Sequence, residues 1–205
     1  MVMASVIGID LAGSERRDTG VTVISNGKIV YTGIVHRNGE ILSLVKKHKA
    51  GLVAIDAPLT LPRGRLGIND SNGPHFRECD LKLREMKIRF FPVTLGPMRM
   101  LTSRGILLAQ LLANELNCRA IEVYPGASYD LLGVPRRDYA GIIKAVRALG
   151  YHIKNRVYTR DEIDSIMCAV VGDMEINGVV KSIGGADGCI YVPGYYHTHP
   201  NIAIP

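Results

Sequence analysis

The sequence predicts a mixed α/β fold: a five-stranded sheet flanked by helices, with the first three strands in an antiparallel meander and strands 1, 4 and 5 parallel. Residues 5–10 and 51–56 are apolar runs, typical of central strands covered on both faces, and each ends in Asp. Asn26-Gly27 lies between two β-branched runs and is a strong hairpin signal. An apolar pattern with helical spacing over residues 40–48 predicts a helix that crosses over to strand 4. A crossover of this kind makes strand 4 parallel to strand 1.

The meander follows from the local sequence. The first run is β-branched at three positions and stops at the Gly-Ser turn of residues 13–14. Residues 20–25 and 28–35 are the second and third strands, on either side of the Asn-Gly turn.

An insertion is predicted after strand 4. Pro58 cannot extend a central strand, and residues 57–100 are rich in Gly, Pro and Arg. A helix is expected within it, over residues 75–87. Charged side chains recur there at steps of three and four residues, which predicts one charged face, either solvated or in contact with a substrate: Arg77, Asp80, Arg84 and Lys87.

The remaining elements are predicted in turn. Residues 102–116 form an apolar helix, residues 119–125 a short fifth strand, and residues 131–150 contain a short basic helix. A Thr-x-x-Glu capping box predicts that Thr159 begins the last helix. Residues from 188 onward look extended.

The last helix carries two acids away from its predicted buried stripe. Asp161 and Asp164, three residues apart, share a face and repel each other unless a cation lies beside them. Asp161 is also explained by the favourable helix dipole near an N-terminus, whereas Asp164 lies a turn further in. The stripe itself consists of Ile163, Ile166, Met167 and Val170.

Length and composition favour one domain over residues 1–205, with the insertion at approximately 57–100. The chain has 205 residues, of which 47% are hydrophobic, enough to bury a sizeable core. No run approaches the roughly 18 apolar residues that span a bilayer, and no secretory signal pattern is present. The four cysteines have neither Cys-x-x-Cys nor zinc spacing and are expected to be reduced. We therefore expect a cytoplasmic protein with no membrane contact.

The charge distribution suggests a polyanionic partner. The net charge is +6, and residues 57–105 hold nine Lys or Arg against four Asp or Glu. Residues 136–160 hold seven against one, whereas residues 161–205 hold one Lys against six acids. Basic segments flanking an acidic one suit a nucleic acid that reaches a metal-binding carboxylate cluster, although an ordinary solvated basic surface explains them too.

Three acids are expected near the carboxyl edge of the sheet. Asp10 and Asp56 end two parallel strands, and open α/β sheets usually hold ligands at that edge. Each Asp could instead cap the turn that follows it. Glu122 alternates with apolar neighbours in the fifth strand, and either points at the site or pairs with an Arg.

Five motifs carry a family resemblance: residues 8–14 (Gly-Ile-Asp-Leu-Ala-Gly-Ser), 54–58 (Ala-Ile-Asp-Ala-Pro), 77–80 (Arg-Glu-Cys-Asp), 121–125 (Ile-Glu-Val-Tyr-Pro) and 161–165 (Asp-Glu-Ile-Asp-Ser). In this order they resemble the DUF429 family of predicted nucleases, and the order of strands, helices and acids resembles the ribonuclease H-like fold. The resemblance spans nearly the whole chain, with one departure at Ser165, where related sequences tend to carry Ala.

The resemblance implies a metal-dependent nuclease that hydrolyses phosphodiester bonds of DNA or RNA. Such hydrolysis is served by two Mg²⁺ or Mn²⁺ ions held by carboxylates. On this expectation Asp10 bridges both ions, Asp56 holds one, and Asp161 or Asp164 holds the other, with Glu122 as an outer ligand or an orienter of water. The residues expected to contact the substrate are Ser14, Arg63, Arg65, Arg77 and Arg84.

Other functions stay open at this point. The protein could be a non-catalytic nucleic-acid-binding module of the same fold, or a structural or partner-binding protein. An ATP-dependent phosphotransferase of the actin and sugar-kinase type has a similar turn after strand 1, but it usually needs two such domains. His197 and His199 could chelate a metal, or belong to an exposed terminal loop.

Overall fold

The computed structural model describes residues 5–194, so His197 and His199 lie outside the described residues. The strands are β1 (Ser5–Asp10), β2 (Thr19–Ser25), β3 (Lys28–Val35), β4 (Ala50–Asp56), β5 (Arg119–Val123), β6 (Val180–Gly185) and β7 (Gly188–Pro193). The helices are α1 (Asn38–His48), α2 (Glu78–Glu85), α3 (Gly96–Leu116), α4 (Pro125–Leu131), α5 (Tyr139–Ala148) and α6 (Arg160–Ile176). Within this range no helix is long and apolar enough to cross a membrane.

The seven strands form one mixed sheet in the order β3-β2-β1-β4-β5-β7-β6. The antiparallel meander of β1 to β3 and the parallel pairing of β1, β4 and β5 agree with the prediction. The predicted count of five strands is too low. The hairpin of β6 and β7 follows the last helix, and β7 extends the parallel part of the sheet beyond β5.

Local sequence explains the first hairpin. Asn26 and Gly27 both have positive φ values, 52° and 69°, as a two-residue type I′ turn requires. Along β1 and β4, alternate side chains then point to opposite faces of the sheet. One face, which includes Val6 and Ala54, packs against α6, whereas the other, which includes Ile7, packs with apolar residues of α1 and α3.

Helix α6 lies almost directly on the sheet because two glycines leave room for its backbone. A Cβ atom at Gly8 would lie 2.1 Å from the backbone nitrogen of Ala169, and one at Gly20 would lie 1.9 Å from the carbonyl oxygen of Asp161. The four residues predicted as the buried stripe of this helix are buried, but burial is not confined to a stripe, because every residue from Glu162 to Met174 is buried. The sheet covers one side of α6, and α4 and α5 also contact it.

The insertion is attached to the last hairpin. The Asp187 carboxylate, in the turn between β6 and β7, accepts hydrogen bonds from the backbone N–H groups of Arg63 (3.0 Å) and Glu78 (2.9 Å). Apolar side chains in α2, including Leu83, and in the segment that follows α2 pack against β6 and β7. Helix α2 is shorter than predicted. Helix α3 begins earlier, at Gly96, because a proline suits the first turn of a helix.

Candidate active site

Asp10 and Asp56 lie side by side at the carboxyl edge of the sheet. They are register partners on the adjacent parallel strands β1 and β4, whose backbones run about 4.8 Å apart. Both line a cleft of about 570 Å³, and so do Asp161 and Asp164 at the start of α6. The two strand ends and the helix thus bring four carboxyl groups to one concave surface.

Helix α6 is fixed at its N-terminus by its own cap. Thr159 accepts a hydrogen bond from the Glu162 backbone N–H at 3.2 Å, and the Glu162 carboxylate accepts one from the Thr159 N–H at 2.9 Å, as the capping box predicts. Ser165 is fully buried, donates to the Glu162 carbonyl at 2.8 Å, and shares a 2.8 Å hydrogen bond with the Thr22 hydroxyl of β2. Ser165 therefore ties the helix to the sheet.

Asp164 is held more firmly than an exposed helix acid. Its side chain accepts a hydrogen bond from the Tyr129 hydroxyl at 2.7 Å and a weaker one from Arg160 at 3.4 Å. Only 8% of the residue is exposed. Burial raises the pKa of Asp164, opposed by the contacts with Tyr129 and Arg160. Asp161, which is half-buried, has a pKa raised by burial and by the nearby Asp18.

Asp10 and Asp56 are subject to electrostatic repulsion from neighbouring carboxylates. Burial raises the pKa of Asp10 well above its usual value, and the charges of Asp164 and Asp161 raise it further. Burial likewise raises the pKa of Asp56, with added repulsion from Asp10 and Asp164. Like charges held this closely favour protonation or the binding of a cation.

The donor set fits a hard divalent cation in its chemistry. Several carboxylates from separate elements face one cleft, and Mg²⁺ and Mn²⁺ prefer oxygen ligands. Among residues 5–194, however, no three His, Cys, Asp or Glu side chains are arranged so as to hold an ion as they stand. Binding would thus require carboxylates to turn toward a common point.

Glu122 does not line this cleft. Its two carboxylate oxygens accept hydrogen bonds from the Arg77 guanidinium at 2.6 and 2.8 Å, and one also accepts from the backbone N–H of Leu59 at 3.0 Å. Of the two interpretations of Glu122, the structure favours pairing with an Arg. Burial raises the pKa of Asp56 most, followed by Asp10 and Asp164, and Glu122 adds a smaller increase.

Two of the arginines expected to contact phosphate are enclosed by protein. Arg77 is 2% exposed and binds both Asp80 and Glu122, and the attraction of Glu122 raises its pKa against the lowering effect of burial. Arg65 is 7% exposed and donates to the carbonyls of Gly73 and Pro74, both at 2.9 Å. Contact of either guanidinium with a substrate is thus excluded in this conformation.

The remaining substrate candidates differ in position. Ser14 lines the cleft. Arg63 and Arg84 are exposed on the insertion and do not line the cleft. Arg84 lies over the ring of Phe76, 5.3 Å from its centroid. The predicted charged face of α2 is therefore divided. Arg77 and Asp80 are buried, whereas Arg84 and Lys87 are exposed.

Sequence reasoning missed Arg104, which holds the loop after β1. This side chain is 7% exposed and donates to the carbonyls of Ala12 (2.8 Å), Ser14 (3.2 Å) and His36. Its signal in the sequence is that Arg104 is the one charged residue among residues 102–114 of the predicted apolar helix, where a buried cation needs partners. Tyr129, the partner of Asp164, had no comparable signal.

The sheet order and the acids at its carboxyl edge define the class of this protein as an α/β protein with a ribonuclease H-like fold. The chain belongs to the family described as "Protein of unknown function (DUF429)", which matches residues 8–186. A solved structure of similar fold is "T. thermophilus RuvC in complex with Holliday junction substrate". It shares 12% sequence identity with a TM-score of 0.53, over 85% of this chain and 96% of that chain. No curated protein matches the sequence.

Proposed function

We propose that the protein is a divalent-metal-dependent nuclease that hydrolyses phosphodiester bonds of DNA or RNA. The observation that carries this proposal is the register pairing of Asp10 with Asp56 on parallel strands, with Asp161 and Asp164 of α6 lining the same cleft. Carboxylates from three separate elements would be a costly arrangement without a cation to offset their repulsion.

In this proposal Asp10, Asp56, Asp161 and Asp164 hold one or two Mg²⁺ or Mn²⁺ ions. Bound ions of this kind supply an activated water and neutralise charge on the leaving oxygen. Asp10 has the central place, because it interacts with Asp161 and Asp164 and also neighbours Asp56 in register. Tyr129 and Arg160 orient the Asp164 carboxylate.

The rest of the cleft is suited to a phosphate backbone. Ser14, Arg17 and Arg160 line it together with the acids, and both arginines are exposed. They offer donors to phosphate oxygens beside the carboxylates, and the overall charge of +6 favours approach of a polyanion. The RuvC structure is described as a complex with a Holliday junction, which supports a nucleic-acid partner here.

A cleavage assay with a matched control tests the proposal. Purified protein is incubated with labelled single-stranded, duplex, hybrid and branched DNA and RNA, in Mn²⁺, Mg²⁺ or EDTA. Asp173 is the control for Asp164, because both lie on α6, both are 8% exposed, and both accept from a tyrosine hydroxyl, at 2.8 Å from Tyr151 and 2.7 Å from Tyr129.

We expect metal-dependent cleavage by the wild type and by Asp173→Asn, and a loss of at least about a hundredfold in Asp164→Asn. Cleavage that persists in EDTA, or that falls equally in both variants, would argue against the proposed roles of the acids.

One observation favours a second function, a non-catalytic nucleic-acid-binding module. Within residues 5–194 the acids are not preassembled as a metal site. Under this alternative Asp164→Asn leaves nucleic-acid affinity unchanged or stronger, and no substrate in the panel is cut.

A further inference from the structure

A second concave surface lies where the insertion meets α4 and the segment that follows it. It is a groove of about 1020 Å³, larger than the carboxylate cleft, and the two share no lining residue. We call it the aromatic groove after the side chains that line it: Phe76, Phe90, Phe91 and Tyr124.

The groove combines the two basic segments of the sequence. Arg84, Lys87 and Arg89 come from the insertion, and Arg136 and Arg137 come from the segment after α4. Folding thus brings five cations into one groove, and Asp130 is the one acid of the described chain that lines it.

Asp130 neutralises a single member of this set. Arg136 donates to both Asp130 oxygens, at 2.9 and 2.6 Å, and also to the Tyr124 hydroxyl at 2.8 Å and the Arg89 carbonyl at 3.0 Å. Its guanidinium therefore ties the two walls together.

The other four cations have no acidic partner among the described residues, although Arg84 lies over the Phe76 ring. Arg84, Lys87, Arg89 and Arg137 are exposed, and within the described part of the chain none of them forms an ion pair. An excess of unpaired positive charge in a concave site favours an anionic occupant.

The aromatic rings differ in exposure: Phe90 and Tyr124 are partly buried against the core cluster that includes Leu83, whereas Phe91 is exposed. Phe76 and Phe90 support each other edge to face, with centroids 6.1 Å apart. Phe91 is 67% exposed and forms no aromatic pair with any other described residue. An exposed Phe in a groove that is also lined by unpaired cations offers a free face for stacking, which a paired base inside a duplex cannot reach.

The groove opens at the same edge of the sheet as the acids. Ile55 pairs with Glu122 in the parallel ladder of β4 and β5, so Tyr124 follows β5 at the level at which Ala57 follows Asp56. Tyr124 lies near enough to Asp56 for the two groups to interact electrostatically. A strand held in the groove would therefore lie beside the carboxylate cleft.

We propose that the aromatic groove binds a single-stranded segment of nucleic acid, with an unpaired base stacked on Phe91 and its phosphates on Arg84, Lys87, Arg89 and Arg137. This inference rests on the proposed function, because it names the form of substrate that the carboxylate cleft receives. Stacking and backbone charge contacts act on DNA and RNA alike.

The test measures binding in EDTA, so that it is independent of cleavage. Fluorescence anisotropy is recorded with labelled single-stranded DNA, single-stranded RNA and blunt duplex DNA of the same sequence. We expect the single strands to bind more tightly than the duplex. Phe91→Ala should weaken single-strand binding roughly 5- to 150-fold, the range for loss of one stacked base. Arg137→Ala should reduce the slope of log K against log salt by about 0.7.

The controls are Leu66→Ala, which removes a 95% exposed apolar side chain outside the groove, and Lys28→Ala, which removes an exposed charge on β3. Both should bind as the wild type does. Preference for the duplex, equal affinity of Phe91→Ala and wild type, or an equal loss in Leu66→Ala would overturn the inference. Binding to phosphatidylserine vesicles that depends on Phe91, with single-strand binding unchanged, would overturn it too.

The two proposals fail separately. If the wild type cleaves no substrate in any condition but its single-strand binding depends on Phe91, the proposed nuclease activity is contradicted and the proposed binding groove is supported. If cleavage depends on metal and on Asp164 but the wild type and Phe91→Ala bind single strands equally, the proposed role of the groove is contradicted and the proposed nuclease activity is supported.

Discussion

Gly20→Ala should displace the acids of α6 from the strand acids. The new Cβ would lie 1.9 Å from the Asp161 carbonyl oxygen, whereas ordinary contacts begin at 3.4 Å, so the first turn of α6 must move away from β2. The atoms that the new Cβ would meet are backbone atoms of Asp161 and Glu162, which cannot rotate away as a side chain could. Overpacking of this kind costs about 1–3 kcal/mol of stability. Displacement of a catalytic group by 1 Å costs about a hundredfold in rate.

Gly51→Ala is the matched control. Gly51 also lies in a strand, β4, but a Cβ there has no neighbour within 4 Å. We expect Gly51→Ala to leave cleavage unchanged and to alter the free energy of unfolding by no more than about 1 kcal/mol, in the stabilising direction. Urea unfolding and cleavage rates with Mn²⁺ are measured for both variants. Wild-type stability and activity in Gly20→Ala would refute the close packing of α6 on β2.

Two further predictions concern buried charge. Because burial and neighbouring carboxylates raise the pKa of Asp10 and Asp56, the metal-free fold gains stability from them below about pH 4 and loses it as pH rises through their raised pKa values. The free energy of unfolding of metal-free Asp56→Asn should therefore rise relative to that of the wild type as the pH increases above about 4. A difference in urea unfolding that stays constant as the pH rises would contradict this. Arg77→Ala should lower the free energy of unfolding by about 3–5 kcal/mol, because it leaves Glu122 buried without its partner. A decrease of less than about 1 kcal/mol in urea unfolding would show that this pair is not buried.

The parts of the fold that the sequence predicted are those set by local pattern. The apolar runs that end in Asp10 and Asp56, the Asn-Gly turn and the capping box at Thr159 each carry their own structural preference, and all of them agree with the structure. The convergence of Asp10 and Asp56 then follows from one rule, that a helical crossover joins parallel strands.

The errors arose where long-range partners decide the outcome. Arg77 and Arg65 read as surface charges because nothing nearby in sequence reveals Glu122 or the enclosing loop carbonyls. Helix α6 is buried on nearly all sides because α4 and α5 also pack against it, so the apolar stripe in its sequence underestimated the extent of its burial. Strand β6 contains two glycines and only two β-branched residues in six, too weak a pattern to predict alone.

The most direct test of the central claim is the melting temperature with and without Mn²⁺ for the wild type, Asp164→Asn and Asp173→Asn. An ion that binds only the folded state adds about 2.7 kcal/mol at a concentration about 100-fold above its Kd. For a chain of this size that corresponds to a rise of about 5–10 °C in melting temperature. We predict such a rise for the wild type and for Asp173→Asn, and a much smaller one for Asp164→Asn. Equal rises in all three proteins, or none in the wild type, would contradict a metal site formed by these carboxylates.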